Sequence, residues 1–385
     1  MKKIALWLAL IPATLFASTP FNDIIKEIES NNPALAADRA AAIADISNRK
    51  ADNILDATEI GFDYAWGAPD GKETKMSASI SQGFDWPGAY AARRNAIHAA
   101  QQSASAKFEA ARRALQLNTC NAIFKVIDAN RRCEFLQNLA LNLDSIQRQI
   151  TSLMKLNQAT ELDFRKASLA IIDVRQQYDA AELARAESLA TLAALNGGNL
   201  PAQVTDLNSY PNQPLLPLTS YINQGSANAY AARLDAATSQ LDAKAAKMGL
   251  FPGFSLGYVF IREGGINFNG FSVGIKLPQY SANAQAKAAL LQAQAMELLA
   301  QSEEAARNAE ITAAYSTIEN TAKRIEEYNA AFGDNYFQLL QTLFNAKQIT
   351  FIEYFNELSF FLNQKLNLFS QELQYQTLLS TLQNR

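Results

Sequence analysis

Between Ala89 and Asn196 the chain contains neither glycine nor proline, and between Gln279 and Arg385 its one glycine is Gly333. In a helix interior glycine costs about 1 kcal/mol and proline about 3 kcal/mol, so stretches this clean predict very long helices. Most of the 16 glycines and 11 prolines of the 385 residues gather instead in three groups, 61–88, 197–217 and 249–278, with Pro12, Pro20, Pro33, Gly225 and Gly333 elsewhere. The chain is also rich in alanine and leucine, which leans helical.

Apolar spacing supports the helices. Leu139, Leu143, Ile146, Ile150 and Leu153 step by four and three. Ile311, Tyr315, Ile318, Ala322 and Ile325 step the same way, and that seam is expected to continue through Phe332, Tyr336, Leu339, Leu343 and Ala346. A sustained 3.5-residue period is the coiled-coil pattern. At 1.5 Å per residue a helix from Ala91 to Met154 would be about 95 Å long, more than a compact domain uses.

Two of the glycine-rich groups carry strand patterns. Ile60, Phe62, Tyr64 and Trp66 alternate with Glu59, Gly61, Asp63 and Ala65 up to a turn through Pro69, Asp70 and Gly71. Met76, Ala78, Ile80, Gln82, Phe84 and Trp86 then alternate with small, polar or charged residues. In the second hairpin Phe254, Leu256, Tyr258 and Phe260 precede a turn near Gly264 and Gly265, and Phe271, Val273, Ile275 and Leu277 follow it. One face is apolar and aromatic. A half-buried soluble sheet also alternates, yet four strands between such helices have no evident core to cover. The lengths suit tilted membrane strands. Trp66, Trp86, Phe84, Phe251 and Tyr280 near strand ends are expected membrane-interface aromatics in contact with outer-membrane lipid. An open sheet edge is prohibitive in lipid, so closure needs several chains, and three would supply twelve strands.

Lys2 and Lys3 followed by the apolar run from Ile4 to Phe16 predict a signal peptide over residues 1–17. The formal net charge is −3, and loss of two lysines leaves 32 basic against 37 acidic residues. A nucleic-acid partner is therefore not expected. Two cysteines cannot make a disulfide scaffold or a four-thiolate zinc site. Cys120 and Cys133 on one helix lie roughly 20 Å apart and cannot bond to each other. The lone His98 excludes a His-rich metal site. No phosphate-binding loop, catalytic constellation, cofactor motif or metal-ligand spacing is present.

The plan occurs twice. Pro87 and Pro278 end the two hairpins, and Thr160 matches Thr350 at nearly the same offset, within Asn157–Phe164 and Lys347–Tyr354. Asn32 and Asn228 begin matching segments. The expected domains are a first repeat over 18–197 with a hairpin at 59–86, a Pro-rich linker over 198–222, and a second repeat over 223–385 with a hairpin at 253–278. Thr160 with Asp163, and Thr350 with Glu353, have capping-box spacing. Each long helix is thus expected to end near residue 156 or 346, reverse, and return.

Asn32-Pro33, the run Gln82-Gly83-Phe84-Asp85-Trp86-Pro87-Gly88, Leu250-Phe251-Pro252, Leu277-Pro278 and the two tip segments together resemble the TolC-like outer-membrane efflux proteins, especially the heavy-metal-type branch. The resemblance implies a mostly α chain with a small β part. It implies a homotrimer, with a long coiled-coil helical tunnel in the periplasm and a twelve-stranded β-barrel in the outer membrane of a Gram-negative bacterium. It also implies a periplasmic adaptor (membrane fusion protein) and an inner-membrane pump of RND type, docking at tips formed by Asn157, Gln158, Thr160, Lys347, Gln348 and Thr350. The family's tip turns commonly carry glycine where this chain has Asn157 and Lys347, and Lys347 is expected to alter the turn or the contact. By position Glu353, Asn356 and Asp163 are candidates for a periplasmic gate, Asn356 standing where an acid would be expected. The alternative is a structural coiled-coil envelope tether or adaptor without a pore.

Overall fold

The computed structural model describes residues 19–67, 74–278, 281–332 and 335–384. The signal-peptide region, the turn residues Pro69, Asp70 and Gly71, Tyr280 and Gly333 lie outside the described residues. In order, the elements are α1 (Thr19–Asn31), α2 (Pro33–Ala51), β1 (Glu59–Trp66), β2 (Thr74–Phe84), α3 (Pro87–Lys155) and α4 (Glu161–Leu195). There follow α5 (Leu218–Asn223), α6 (Ala227–Met248), β3 (Gly253–Glu263), β4 (Ile266–Lys276), α7 (Ala282–Phe332), α8 (Tyr336–Asn345) and α9 (Phe351–Asn384). The same succession of helices, hairpin and long helices thus recurs. At 69 residues, α3 runs for about 100 Å.

Helix capping corrects one sequence match. The Leu35 N–H donates to Asn32 Oδ1 at 2.8 Å, and the Ala229 N–H donates to Ser226 Oγ at 3.4 Å. Ser226, the N-cap of α6, is therefore the counterpart of Asn32, whereas Asn228 lies inside the helix.

The chain forms two compact units, each drawing on both halves of the sequence. The first combines the residues up to Leu35 with Arg112–Gln224 and Asn308–Arg385. One of its cores joins α3, α4, α8 and α9: Leu139, Leu143, Ile146 and Ile150 face Ala167, Ile171 and Val174, with Leu340, Tyr354, Phe355 and Leu358. The 4-3 seam predicted on α3 is buried from Leu139 to Ile150, which is fully so, and Leu153 at its end is half-buried. A smaller core gathers Tyr221, Ile311, Ile318, Leu379 and Leu382. The Asn130 amide donates to the Thr205 and Leu207 carbonyls at 3.1 and 2.9 Å, which holds the non-helical segment after α4 to α3. Cys120 is buried and free, its thiol pushed up to about 12 by burial, and Cys133 is half-buried and free.

The second long seam departs from expectation. Helix α7 ends at Phe332 and α8 starts at Tyr336, and Leu340 rather than Leu339 enters the core, at 5% against 54% exposure. Ala346 is exposed. The interruption resets the helical phase, so a periodicity counted through it points to the wrong face. Aromatic rings pack on both sides of the break: Phe332 lies 5.2 Å from Tyr336 and 5.8 Å from Phe360, and Tyr336 stacks on Phe361 at 5.7 Å.

The second unit comprises Ala36–Ala111 and Gly225–Arg307. Its helices pack on small side chains, with Ala106 and Ala110 of α3 against Ala231 of α6. Arg49 bonds both carboxylate oxygens of Asp242 at 2.9 and 3.1 Å. The hairpins do not stand apart: they make one antiparallel sheet in the order β1-β2-β3-β4.

Candidate functional site

Two features bear on function: the sheet in the second unit and the helical reversals in the first. In the sheet the period-2 pattern sorts residues between faces. Across the strands, Phe62 pairs with Ala78, Ala78 with Phe260, Ile80 with Tyr258, and Tyr258 with Phe271. Most side chains on this face are apolar, and many are exposed, Phe271 to 83% and Phe62 to 66%, while Phe260 is half-buried opposite Asn269. From Phe254 to Phe260 the apolar stretch of β3 covers about 20 Å of strand. Arg262 and Asn267, paired beside the β3–β4 turn, end it with polar groups. A water-exposed apolar surface of this kind marks an interaction surface for protein or lipid.

The opposite face is mostly small, polar or charged, with Ile261, Ile266 and Phe268 gathered near the β3–β4 turn. Gly61 pairs with Ser79, and Gly257 pairs with Ser81 and Ser272. A Cβ at Gly257 would stand 2.5 Å from Ser272 Oγ and 2.8 Å from the Ile80 carbonyl, so glycine is required for the strands to approach there. The strands β1 and β4 each pair on one side only within this chain.

Of the expected interface aromatics, Trp66 closes β1 and is exposed, and Phe84 closes β2. Trp86 stacks on Phe251 at 5.6 Å and touches Phe254 at 6.1 Å. This three-ring cluster joins the ends of both hairpins, and sequence spacing alone did not reveal it.

The reversals α3–α4 and α8–α9 share one geometry. At the first, the Asn157 N–H donates to the Met154 carbonyl and the Gln158 N–H to the Leu153 carbonyl, at 3.0 and 2.8 Å. At the second, Lys347 donates to Phe344 and Gln348 to Leu343, at 3.0 and 2.9 Å. This is the Schellman closure, which needs a left-handed residue after the helix, and Asn157 and Lys347 supply it with φ of 56° and 58°. Lys347 therefore does not alter the turn. It adopts a conformation that costs an L-residue about 1–2 kcal/mol. Replacing Lys347 by glycine is expected to stabilise the protein by about 1 kcal/mol, read as a raised thermal midpoint, with a smaller gain for Asn157→Gly.

Capping boxes start the returning helices. The Asp163 N–H donates to Thr160 Oγ1 at 3.2 Å, and the Thr160 N–H donates to the Asp163 carboxylate at 2.9 Å. Glu353 and Thr350 repeat the exchange at 3.2 and 2.8 Å. Hydrogen bonds from the Thr350 backbone N–H and hydroxyl hold the Glu353 carboxyl below its ordinary range. Asp163 is buried in its cap, whereas Glu353 and Asn356 are exposed on the first turns of α9. Of the expected tip residues, Asn157, Gln158, Thr160, Lys347, Gln348 and Thr350 are all exposed. His98 is exposed as well. Among the described residues no cluster of His, Cys, Asp or Glu could hold a metal ion, and no helix is long and apolar enough to cross a membrane.

No protein-family model matches the sequence, and no curated protein matches it. Solved structures do match. The outer-membrane channel CmeC of Campylobacter jejuni aligns at 15% identity over 96% of this chain and 86% of that one, with a TM-score of 0.74. The outer-membrane protein VceC of Vibrio cholerae aligns at 16% identity over 95% and 97%, with a TM-score of 0.72. CusC, described for its folding and transmembrane channel formation, aligns at 14% identity over 96% and 92%, with a TM-score of 0.77. The chain has the TolC-like fold, long helices with a small antiparallel sheet, that these channel proteins share.

Proposed function

We propose that the chain is one third of an outer-membrane exit duct, a passive channel and not an enzyme. The observation that carries this reading is the four-stranded sheet with an exposed apolar face, a small-residue face and two edges unpaired within the chain. An apolar outer face and a closed set of strands are what a β-structure needs in lipid. Three copies pairing β1 of one with β4 of the next close a twelve-stranded barrel. The structural relatives that are outer-membrane channels support the same reading. The exposed reversals then meet a periplasmic adaptor, which connects the duct to an inner-membrane pump of RND type. Energy for transport comes from that pump, since the chain carries no nucleotide-binding motif.

In this arrangement the exposed Glu353, with Asn356 on the same helix turn, lies at the periplasmic entrance. Three Glu353 carboxylates attract cations there and titrate as a coupled set. Replacing Glu353 by alanine is expected to change cation block or conductance in planar bilayers, and unchanged conductance would remove Glu353 from the pore. Single cysteines at Phe62 and Val273 test the membrane assignment. The duct requires both to react with lipid-phase reagents and to resist polar ones. The opposite pattern would favour the coiled-coil tether, in which the hairpins stand in water.

A further inference from the structure

The first unit carries an open cavity, a groove at the surface of about 520 Å³, lined by α3, the segment after α4, α7 and α9. That volume is within the range of small-molecule sites. Its wall includes Arg131, Tyr210, Ile325, Glu326, Glu372 and Tyr375. The charges do not cancel. Arg131 donates to Glu372 at 2.6 Å, whereas Glu326 has no ion-pair partner among the described residues. One carboxylate is therefore left for an occupant.

The same wall already holds one organic cation. The Arg131 guanidinium sits 5.4 Å from the Tyr210 ring and 4.9 Å from the Phe369 ring, as well as on Glu372. A carboxylate with aromatic faces is the environment that stabilises ammonium and guanidinium ions. Burial first, and then the Asp128 and Glu372 carboxylates, push the Tyr210 phenol up against the opposing pull of Arg131. Ile325 and the Tyr375 ring give the cavity an apolar side beside Glu326.

We propose that this cavity binds a small organic ammonium ion, its nitrogen against Glu326 and its apolar body against Tyr375 and Ile325. The site is built by one chain, so it does not depend on the duct assignment.

The test is isothermal titration calorimetry on the purified full-length protein in detergent, with phenethylammonium and phenylacetate as probes of like body and opposite charge. Phenethylammonium is expected to bind saturably and phenylacetate not to bind. Glu326 is exposed, so Glu326→Gln leaves the fold intact, and it is expected to weaken binding about threefold. Tyr375→Leu keeps the apolar volume, removes the ring, and is expected to weaken binding about fivefold. Circular dichroism confirms that each variant retains its helices. Absence of saturable binding at millimolar probe, equal binding of the two probes, or binding unchanged in both variants would overturn the assignment.

Discussion

Phe271→Lys is expected to abolish accumulation of the protein in the outer membrane, whereas Gly270→Lys leaves it assembled. The two residues are neighbours on β4, so they lie at nearly the same depth, but their side chains leave opposite faces of the sheet. Phe271 is in the apolar row opposite Tyr258 and exposed to 83%. A lysine on a lipid-facing position costs about 2–4 kcal/mol near the bilayer centre, and a closed trimer carries three copies. Gly270 lies on the small-residue face opposite Val259. A Cβ there meets Val259 at 3.5 Å, an ordinary contact. Immunoblots of separated outer-membrane and soluble fractions read both variants. Equal loss of the two would mean that the faces of the sheet do not differ in environment.

The second large effect is expected in the helical core. Leu340→Ala should destabilise the protein by about 3 kcal/mol, because it removes a buried side chain and leaves a cavity. Leu340 packs among Leu143, Ile146, Tyr354 and Leu358 as part of the core that holds both reversals. Leu339→Ala removes as many atoms from a side chain 54% exposed and is expected to cost about 0.5 kcal/mol or less. Denaturant unfolding followed by helical circular dichroism compares the two. A larger loss from Leu339 would restore the uninterrupted 4-3 seam that the sequence suggests.

That pair of leucines shows where sequence reading stops. On α3 no interruption occurs between Leu139 and Ile150, so counting by four and three finds the buried face. In the second half Gly333, Asp334 and Asn335 stand in sequence between Phe332, where α7 ends, and Tyr336, where α8 begins. A single glycine is affordable inside a helix at about 1 kcal/mol, so nothing local announces that the phase is lost. The strands were legible because alternation and turn residues are both local signals. The joining of two hairpins into one sheet was not, since 168 residues, 85–252, lie between β2 and β3. The reversals were legible through Thr160 and Thr350, whose hydroxyls cap in the expected way. The left-handed Lys347 was not: residue preference argues against it, and the Gln348 hydrogen bond to Leu343 decides. The cavity beside Arg131 assembles side chains from four separate segments, a juxtaposition that periodicity and spacing do not contain.

The reading of the sheet as one third of a closed barrel can be measured directly. Native mass spectrometry of the protein extracted in detergent from the outer-membrane fraction is expected to find particles of three chains. A single chain, recovered from the soluble periplasmic fraction without detergent, would contradict it.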